Sequence, residues 1–378
     1  MKAHAVRRFS RSSFIRLGLL TLFSTFAASM CGRVKAGNKS KPTVKASRLK
    51  TLSKGFNLDY WLFHGLADGH YTEATLQEYK NLGLTHTRLP IVVSVFLDDN
   101  NPSVLKTDSL AALDAIIRLH VKTGLGIILS PFNHPAEMYS DPAVLAKFVA
   151  FSKAFATHLS STEPEKVFLE VMNEPIAAKP QIWNNIQVKL IPAIRSGAPN
   201  HTIIASSNVH LSANDWDNVG SLPLTQIVPD DNVVYNFHFY KSLVFTHQGA
   251  SWAGSLKLLK DIPYPSTPAA VAPLLDAIQD AEAKSAVENY GKENWNRNKC
   301  VSVLAPVADW AKTNGVPVIC NEFGALPSTA PRDSLLRYLK DVREVLESYE
   351  IGWAEWFGLD VHDNELMQAL GLTPLRRP

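Results

Sequence analysis

The sequence predicts an α/β fold: a (β/α)8 TIM barrel in a single domain with a long insertion after the sixth strand. The chain has 378 residues, 46% of them hydrophobic. It can therefore bury a large core, and it exceeds the roughly 250 residues typical of one such barrel. From residue 52 onward short apolar runs alternate with longer amphipathic ones, which is the pattern of repeated βα units. Eight strands in this order predict a closed parallel barrel.

Each strand is predicted from an apolar run bounded by residues that end strand pairing. Val167, Phe168 and Leu169 are apolar without alternation, as expected for a parallel strand covered on both faces. Pro175 has no N–H to donate, so pairing of that strand is expected to stop before it. The eight predicted strands are 55–58, 85–91, 126–132, 166–174, 202–207, 233–240, 317–323 and 351–357.

Amphipathic runs between the strands predict an outer layer of helices. Thr75 and Glu78 have the spacing of a capping box near the start of the first helix, and Gly124 is placed to end the second. Residues 241–298 separate the sixth strand from its helix and are too many for a turn. This insertion is expected to carry structure of its own, including a helix over 268–290. The other predicted helices begin near 72, near 108 and after 142, or cover 181–195 and 333–349.

The first 29 residues have the three parts of a secretory signal peptide: a basic start, an apolar stretch and small residues at the end. The apolar stretch is shorter than the ~20 residues of a membrane-spanning helix, so no stable membrane insertion is expected. Five Lys and Arg and no acidic residues lie in this segment. Without them the chain has 33 basic and 35 acidic residues, so the formal charge falls from +3 to −2. This balance predicts no nucleic-acid partner.

The chain is thus divided into a signal peptide over 1–29, a flexible tether over 30–50 and the barrel over 51–378. The tether is rich in Lys, Ser and Gly. We expect an exported protein, either secreted or periplasmic. Lipid anchoring at Cys31 is the alternative, against which Met30 argues because small residues are expected there.

Two of the predicted strands end in a glutamate. One ends in Asn173-Glu174-Pro175, and another ends in Glu322-Phe323-Gly324. In parallel barrels the residues at the carboxyl ends of different strands meet at one mouth, where active sites are built. A single glutamate of this kind is as often a helix cap. A second at another strand end favours a shared site.

Both segments resemble the catalytic segments of glycoside hydrolase family 5, a family of retaining β-glycosidases, and the resemblance covers about residues 52–360. It implies that Glu174 is the acid/base and Glu322 the nucleophile. Retaining enzymes use one carboxylic acid to protonate the leaving oxygen and one carboxylate ~5 Å away to attack the anomeric carbon. The two duties of Glu174 require a raised pKa, which the nearby charge of Glu322 is expected to supply.

Further strand ends match family positions and imply a set of substrate-binding residues. Arg88 would keep a neighbouring carboxylate ionised. In the family the equivalent of Tyr240 hydrogen-bonds the nucleophile, and that of His238 lies near the acid/base. Trp356 would be a flat apolar floor for a pyranose ring. Asn173 would meet the sugar 2-hydroxyl.

The third strand departs from the family pattern, which has a histidine at its end. The register places Phe132 there, and His134 follows on the same face if the strand continues. His134 is therefore a substrate-binding candidate, with a loop histidine as the alternative. In the insertion, Trp252, Tyr264 and Trp295 either face a sugar or attach the insertion to the barrel.

Other polar residues are assigned structural roles. Glu170 lies deeper in its strand and is expected to be a buried carboxylate held by the second-strand arginine. Glu355 has the parity that points away from the barrel mouth. Cys320 has the parity of the seventh-strand glutamate and should face the barrel interior, so a disulfide to Cys300 is not expected.

The leader predicts export, and the resemblance implies a retaining β-glycosidase, an endo-β-1,4-glucanase (cellulase) that acts on a polysaccharide or oligosaccharide by double displacement. A β-mannanase or β-1,3-glucanase is the alternative, because specificity lies in the loops of a shared barrel. A carbohydrate-binding pseudoenzyme is disfavoured by the retention of both glutamates. No cofactor or metal is expected, since no Cys/His cluster has metal-ligand spacing. We expect a monomer.

Overall fold

The computed structural model describes residues 44–66, 70–98, 100–212 and 215–375. Within them eight parallel strands pair in chain order, and the first pairs with the last, which closes the barrel. The predicted fold class and the eight predicted strands are confirmed. The barrel strands are Lys54–Asn57, His86–Val92, Gly126–Phe132, Val167–Glu170, Ile203–Ser206, Val233–Phe239, Val318–Phe323 and Gly352–Glu355.

Helices surround the barrel and begin and end close to the residues that the sequence indicates. Gly124 has a φ of 79° and follows the last residue of its helix, as predicted. The first outer helix is capped by Thr72, whose hydroxyl accepts the Thr75 N–H, so the predicted capping box at Thr75 is wrong by about one turn. The α-helices are Ala46–Thr51, Tyr60–His64, Glu73–Leu82, Val93–Phe96, Thr107–Thr123, Pro142–Leu159, Pro180–Gly197, Leu243–Thr246, Pro268–Val271, Ala281–Glu293, Arg297–Asn314, Arg332–Ser348 and Asn364–Ala369.

Helix Ala46–Thr51 closes the amino-terminal end of the barrel. Val44 and Leu52, on either side of it, are 4% and 2% exposed and pack against a layer of apolar strand residues. The predicted tether over 30–50 is therefore wrong at its carboxyl end, because the residues described there bury apolar surface against the barrel. The layer consists of Ile128, Phe168, Ile204, Val234 and Ile319.

The seventh strand contains a bulge that decides where its glutamate points. Phe237 of the sixth strand pairs with Cys320, whereas the next residue, His238, pairs with Glu322. Asn321 is the extra residue, and the bulge turns Glu322 to the side of the sheet that His238 occupies. Cys320 lies in the apolar layer between barrel and helices. Its predicted position inside the barrel is therefore wrong.

The fourth strand is shorter than predicted, since its last residue is Glu170. Beyond it the N–H of Val171 bonds to the carbonyl of Ile204 at 2.9 Å, and the chain continues outside the strand to Glu174, whose φ of 36° lies in the left-handed region. The N–H of Asn173 still bonds to the carbonyl of Pro131 at 2.9 Å. A turn above the strand, rather than strand parity, therefore positions Glu174.

The insertion after the sixth strand is built from short helical pieces. The single helix predicted over 268–290 is divided into two shorter helices with a 3₁₀ segment after the first. Tyr264 and Trp295 are 3% and 4% exposed, so these two aromatic residues attach the insertion to the domain. Trp252 is 65% exposed and differs from both.

Some predictions concern residues for which no structure is given. The predicted signal peptide and Cys31 lie outside the described residues.

Cys300 and Cys320 are both buried and free, as expected. In the described part of the chain, no helix is both long enough and apolar enough to cross a membrane.

Candidate active site

A cleft of about 420 Å³ opens where the carboxyl ends of the barrel strands meet. Both predicted catalytic glutamates lie in it, together with Phe132 at the end of the third strand and side chains from the loops after four of the strands. This is the end of a parallel barrel at which active sites form. The cleft is lined by Phe132, Asn173, Glu174, Trp216, Tyr240, Leu243, His247, Trp252, Ala253, Glu322 and Trp356.

Glu322 is held by a cation and a hydroxyl. One carboxylate oxygen accepts a hydrogen bond from the Arg88 guanidinium, and the other accepts the Tyr240 hydroxyl at 2.9 Å. The Nδ1 atom of His238 lies 3.3 Å from the second oxygen. The side chain of Glu322 is only 5% exposed. Both of its oxygens are therefore fixed before any substrate arrives.

Glu174 is held by two N–H donors that reach the same oxygen. The indole Nε1 of Trp216 and Nδ1 of His238 each lie 2.8 Å from Oε1 of Glu174. This arrangement fixes the carboxyl plane and leaves Oε2 for a ligand. Trp216 comes from a two-stranded hairpin, His210–Ser212 and Asp215–Asp217, in the connection that follows the fifth barrel strand.

The two glutamates converge on His238. One oxygen of each carboxylate and one ring nitrogen of His238 all lie within 4.8 Å of one another. Three such groups have the donor types of a metal site. A divalent cation would, however, lie beside the Arg88 guanidinium that is bonded to Glu322, and this repulsion disfavours metal binding. The arrangement is better suited to proton transfer.

Arg88 is the centre of the buried polar layer beneath the cleft. It is fully buried, and its Nε donates to Glu170 at 2.7 Å, as the sequence predicted for that carboxylate. The Nη2 atom donates to Asn173 at 2.7 Å and to Ser130 at 2.9 Å. One arginine therefore fixes a structural carboxylate, Glu322 and Asn173 relative to one another.

The ionisation of the three central groups is set by burial and by their neighbours. Burial raises the pKa of Glu322, against the lowering effects of His238 and Arg88. Burial also acts to raise the pKa of Glu174, but the hydrogen bond and charge of His238 lower it below its ordinary value. Burial alone would lower the pKa of His238, yet the charge of Glu322 and the bond to Glu174 raise it.

The raised pKa predicted for Glu174 is therefore wrong. The prediction considered the charge of Glu322 and omitted the cationic partner that the fold supplies. A proton is nevertheless held next to Glu174, on Nδ1 of His238 at 2.8 Å. The two side chains share this proton, so they titrate as a pair.

Not all of the predicted substrate-binding residues reach the cleft. Trp356 lines it, and its ring is stacked on Phe132 at 6.0 Å between centroids. His134 is not among the described residues that line the cleft. Its Nε2 bonds to the hydroxyl of Tyr139 at 2.8 Å. Asn133 has a φ of 54°, so the strand does not continue and His134 does not share the face of Phe132.

Glu355 points away from the mouth, as predicted. It pairs with Phe56 and Phe323, which both lie in the apolar layer outside the barrel. Its Oε1 accepts the N–H of Phe357 at 2.7 Å. Burial raises the pKa of Glu355 to about 8.

Sequence reasoning missed Trp216 and His247, which both line the cleft. Trp216 lies in a hairpin that no strand pattern indicated. His247 follows the sixth strand, inside an insertion whose path the sequence does not define. The fact that the insertion begins directly after a strand end was the available signal, because loops at that end line the mouth.

The barrel is closed and parallel, and the cleft at its carboxyl-terminal end holds two glutamates about 5 Å apart. This is the architecture of a retaining glycosidase. The sequence profile of the cellulase family, glycosyl hydrolase family 5, matches residues 44–358. The chain belongs to this family.

Relatives and solved structures agree with this assignment. The chain is 27% identical to Endoglucanase 3 of Fibrobacter succinogenes, over 82% of this chain and 49% of that protein. It is 24% identical to Endoglucanase C of Acetivibrio thermocellus, over 80% and 90%. It thus spans about half the length of the first relative and most of the second. Thermotoga maritima Cel5A in complex with mannotriose matches with a TM-score of 0.70 at 21% identity, over 85% of this chain and 98% of that one, which is a likeness of fold.

Proposed function

We propose that the protein is an endo-β-1,4-glucanase that cleaves its glycan with retention of configuration. The observation that carries the proposal is the approach of Glu174 and Glu322 to within 4.8 Å. Carboxylates about 5 Å apart leave no room for a water between nucleophile and sugar, whereas inverting enzymes separate them by about 6.5–9.5 Å. One glutamate then has to attack the sugar itself.

Glu322 is the nucleophile in this proposal. Arg88 and Tyr240 hold its two oxygens, so the carboxylate loses little freedom on attacking the anomeric carbon. The guanidinium also favours the ionised form that attack requires, and it opposes the effect of burial. The bond from Glu322 to the anomeric carbon forms as the bond to the leaving oxygen breaks.

Glu174 is the acid and later the base. With a proton on Oε2, its Oε1 remains the acceptor of the N–H groups of Trp216 and His238, so the carboxyl keeps its orientation through the proton transfer. It gives the proton to the leaving glycosidic oxygen. Glu174 then takes a proton from the water that releases the sugar from Glu322.

The sugar at the cleavage point is expected to contact residues already fixed by the fold. The Oδ1 atom of Asn173 accepts from Arg88, which leaves its amide N–H groups for the 2-hydroxyl of the sugar. The indole of Trp356 offers its face to the apolar side of a pyranose. Tyr240 and His238 complete the proposed substrate-binding set through the two glutamates.

A β-1,4-linked glucan is the proposed substrate because the relatives from Fibrobacter succinogenes and Acetivibrio thermocellus are endoglucanases by name. A β-mannan is the second candidate, since Thermotoga maritima Cel5A has been solved with mannotriose as well as with cellobiose. The proposed site of action is outside the cytoplasm, on the strength of the leader sequence.

Stereochemistry tests the proposal. The purified protein is offered soluble β-glucan, mannan and xylan, and proton NMR follows the anomeric region during the first minutes on the preferred polymer. We expect the β-anomer to form first, because double displacement restores the starting configuration. Initial accumulation of the α-anomer would mean single displacement and would remove Glu322 from its role.

A further inference from the structure

The turn that carries Glu174 is strained, and its backbone needs partners outside the turn. Glu174 has a φ of 36°, a conformation that a non-glycine residue keeps only where its surroundings hold it. The next residue, Pro175, has no N–H. Ile176 is therefore the first residue after Glu174 whose backbone can donate a hydrogen bond. The acceptor of that bond anchors the turn on its carboxyl side.

Tyr139 is this acceptor. The N–H of Ile176 donates to the hydroxyl oxygen of Tyr139 at 2.9 Å. Tyr139 is the last residue of the 3₁₀ helix Ala136–Tyr139, which lies in the connection after the third barrel strand. The bond joins residues that are 37 positions apart in the chain. A loop from the neighbouring strand therefore holds the turn.

His134 orients the hydroxyl of Tyr139. Its Nε2 atom lies 2.8 Å from that hydroxyl, and the two rings meet edge-to-face with their centroids 5.7 Å apart. Burial lowers the pKa of His134 to about 4 and raises the pKa of Tyr139, so the imidazole is neutral and the phenol keeps its proton. Because the phenol oxygen accepts from Ile176, its own proton is directed to Nε2.

The other side of the turn is held by the loop after the fifth strand. The N–H of Val209 donates to the carbonyl of Pro175 at 2.6 Å. Asn208 is 3% exposed, and its side-chain amide accepts the N–H of Ala177 and donates to the carbonyl of the same residue, both at 3.0 Å. The turn therefore has hydrogen bonds to the loops on both sides of it.

Tyr139 and His134 act on the turn rather than on the cleft. Neither is among the described residues that line the cleft. Their bonds lead to the backbone two residues after Glu174, not to a position that a sugar would occupy. A small displacement of a reacting group is costly for catalysis, so a bond that fixes the turn also affects the reaction.

We propose that Tyr139 is a positioning residue for Glu174, and that His134 holds its hydroxyl in the orientation that accepts from Ile176. The bond keeps the turn in place, so that the carboxyl of Glu174 stays within reach of the glycosidic oxygen. The proposal rests on the proposed function for the role of Glu174 as acid and base. It gives His134 a task other than the predicted contact with substrate.

Kinetics with two leaving groups test the positioning role. Tyr139→Phe keeps the ring and removes the hydroxyl. It is expected to lower kcat on cellotetraose about 10-fold, with KM within about twofold, because a displaced acid transfers its proton more slowly. The leaving group of dinitrophenyl β-cellobioside needs no proton, so the rate of the dinitrophenol burst should stay within about twofold of the wild-type rate.

The control removes a hydroxyl of the same kind elsewhere. The hydroxyl of Tyr235 also accepts a backbone N–H, that of Val228, at 2.9 Å, and Tyr235 does not line the cleft. Tyr235→Phe should therefore leave kcat on cellotetraose unchanged. His134→Phe is expected to repeat part of the fall in kcat, and His134→Gln to recover it, because an amide oxygen can accept the proton of Tyr139.

Three kinetic results would overturn the proposal. A rise in KM with kcat unchanged in Tyr139→Phe would indicate a contact with the sugar. An equal loss on both substrates would indicate a general loss of structure. An unchanged kcat on cellotetraose would mean that the bond to Ile176 does not position the acid.

An NMR signal separates this proposal from the proposed function. The indole N–H of Trp216 donates to Oε1 of Glu174 at 2.8 Å, so its resonance reports the position of that carboxyl without any sugar. The signal is assigned by its loss in Trp216→Phe. Tyr139→Phe should shift it and Tyr235→Phe should leave it in place, after thermal melting has shown that each variant is folded.

The NMR result stands even if the protein cleaves neither sugar. A shifted indole signal in Tyr139→Phe then supports the positioning role, and the proposed function fails alone. An indole signal that stays in place in Tyr139→Phe overturns the positioning role, whatever the protein cleaves.

Discussion

Two glutamates of the same cleft differ in the groups that hold them. Glu322 is bonded to a fixed cation, Arg88, and to a hydroxyl. Glu174 is bonded to the neutral indole of Trp216 and to His238, a titratable group whose pKa the neighbouring carboxylates raise. A permanent charge suits a group that must stay ionised, and a titrating partner suits one that gives and takes protons.

Glutamine substitutions should separate the two roles. Glu174→Gln removes the proposed acid, and Glu322→Gln removes the proposed nucleophile. Each variant is expected to lose nearly all activity on a natural polysaccharide, a fall on the order of 10³-fold or more. A dinitrophenyl glycoside has a leaving group that needs no proton. On this substrate Glu174→Gln should still release a burst of dinitrophenol, whereas Glu322→Gln should release none.

Stopped-flow absorbance measures the burst, and circular dichroism confirms that both variants are folded. Leu258→Ala serves as the unaffected control, because Leu258 is exposed on the insertion and does not line the cleft. Near wild-type turnover of the polysaccharide by either glutamine variant would remove that glutamate from its proposed role.

Irregular elements, rather than regular ones, orient the proposed catalytic groups. The bulge at Asn321 turns Glu322 toward the cleft, and the turn beyond the fourth strand, with φ of 36° at Glu174, lifts that carboxyl above the barrel. The hairpin after the fifth strand adds Trp216. Bulges and left-handed residues are common near functional sites because they redirect a side chain without disturbing the remaining sheet.

The hairpin predicts a change in pH dependence. Trp216 donates to Oε1 of Glu174 and stabilises its ionised form, which lowers the pKa of that carboxyl. Trp216→Phe removes the donor and keeps an aromatic ring. Glu174 should then retain its proton to higher pH, so the basic limb of kcat/KM should move upward by up to about one unit. We also expect kcat to fall, because the carboxyl plane is held by one donor fewer.

Initial rates between pH 4 and 10 on soluble β-glucan give this profile. Trp310→Phe is the matched control, because Trp310 lies on an outer helix and contacts Tyr235 rather than the cleft. A basic limb that stays in place or moves to lower pH in Trp216→Phe would contradict the assigned hydrogen bond.

At the scale of the whole molecule, the first helix and the cleft lie at opposite ends of the barrel. Helix Ala46–Thr51 packs on the amino-terminal end of the barrel, whereas the cleft lies at the carboxyl-terminal end.

The leader predicts the terminus of the mature protein. If residues 1–29 are a signal peptide, protein recovered from the medium or the cell envelope should begin close to residue 30, because signal peptidase cuts after small residues such as Ala27, Ala28 and Ser29. Intact-mass spectrometry of the exported protein measures this directly. Exported protein that still begins at Met1 would contradict cleavage, and a lipid mass on Cys31 would favour the anchored alternative.

The sequence by itself determined the barrel and most of the cleft. Eight apolar runs predicted the eight strands, and seven residues at strand ends and in the turns beyond them were correctly placed in or directly beneath the cleft. These are Arg88, Asn173, Glu174, His238, Tyr240, Glu322 and Trp356. The reason is that in a parallel barrel the position of a residue along its strand decides which end of the barrel it occupies.

Tertiary structure alone decided the features that depend on residues distant in the chain. Strand parity failed at two positions: the bulge in the seventh strand turns Cys320 outward, and the turn at Asn133 removes His134 from the cleft. The charge of Glu322 alone did not predict the lowered pKa of Glu174. Trp216 and His247 reach the cleft from a hairpin and an insertion with no local signature. Parity holds only while a strand is regular, and a pKa depends on every neighbour that the fold brings near.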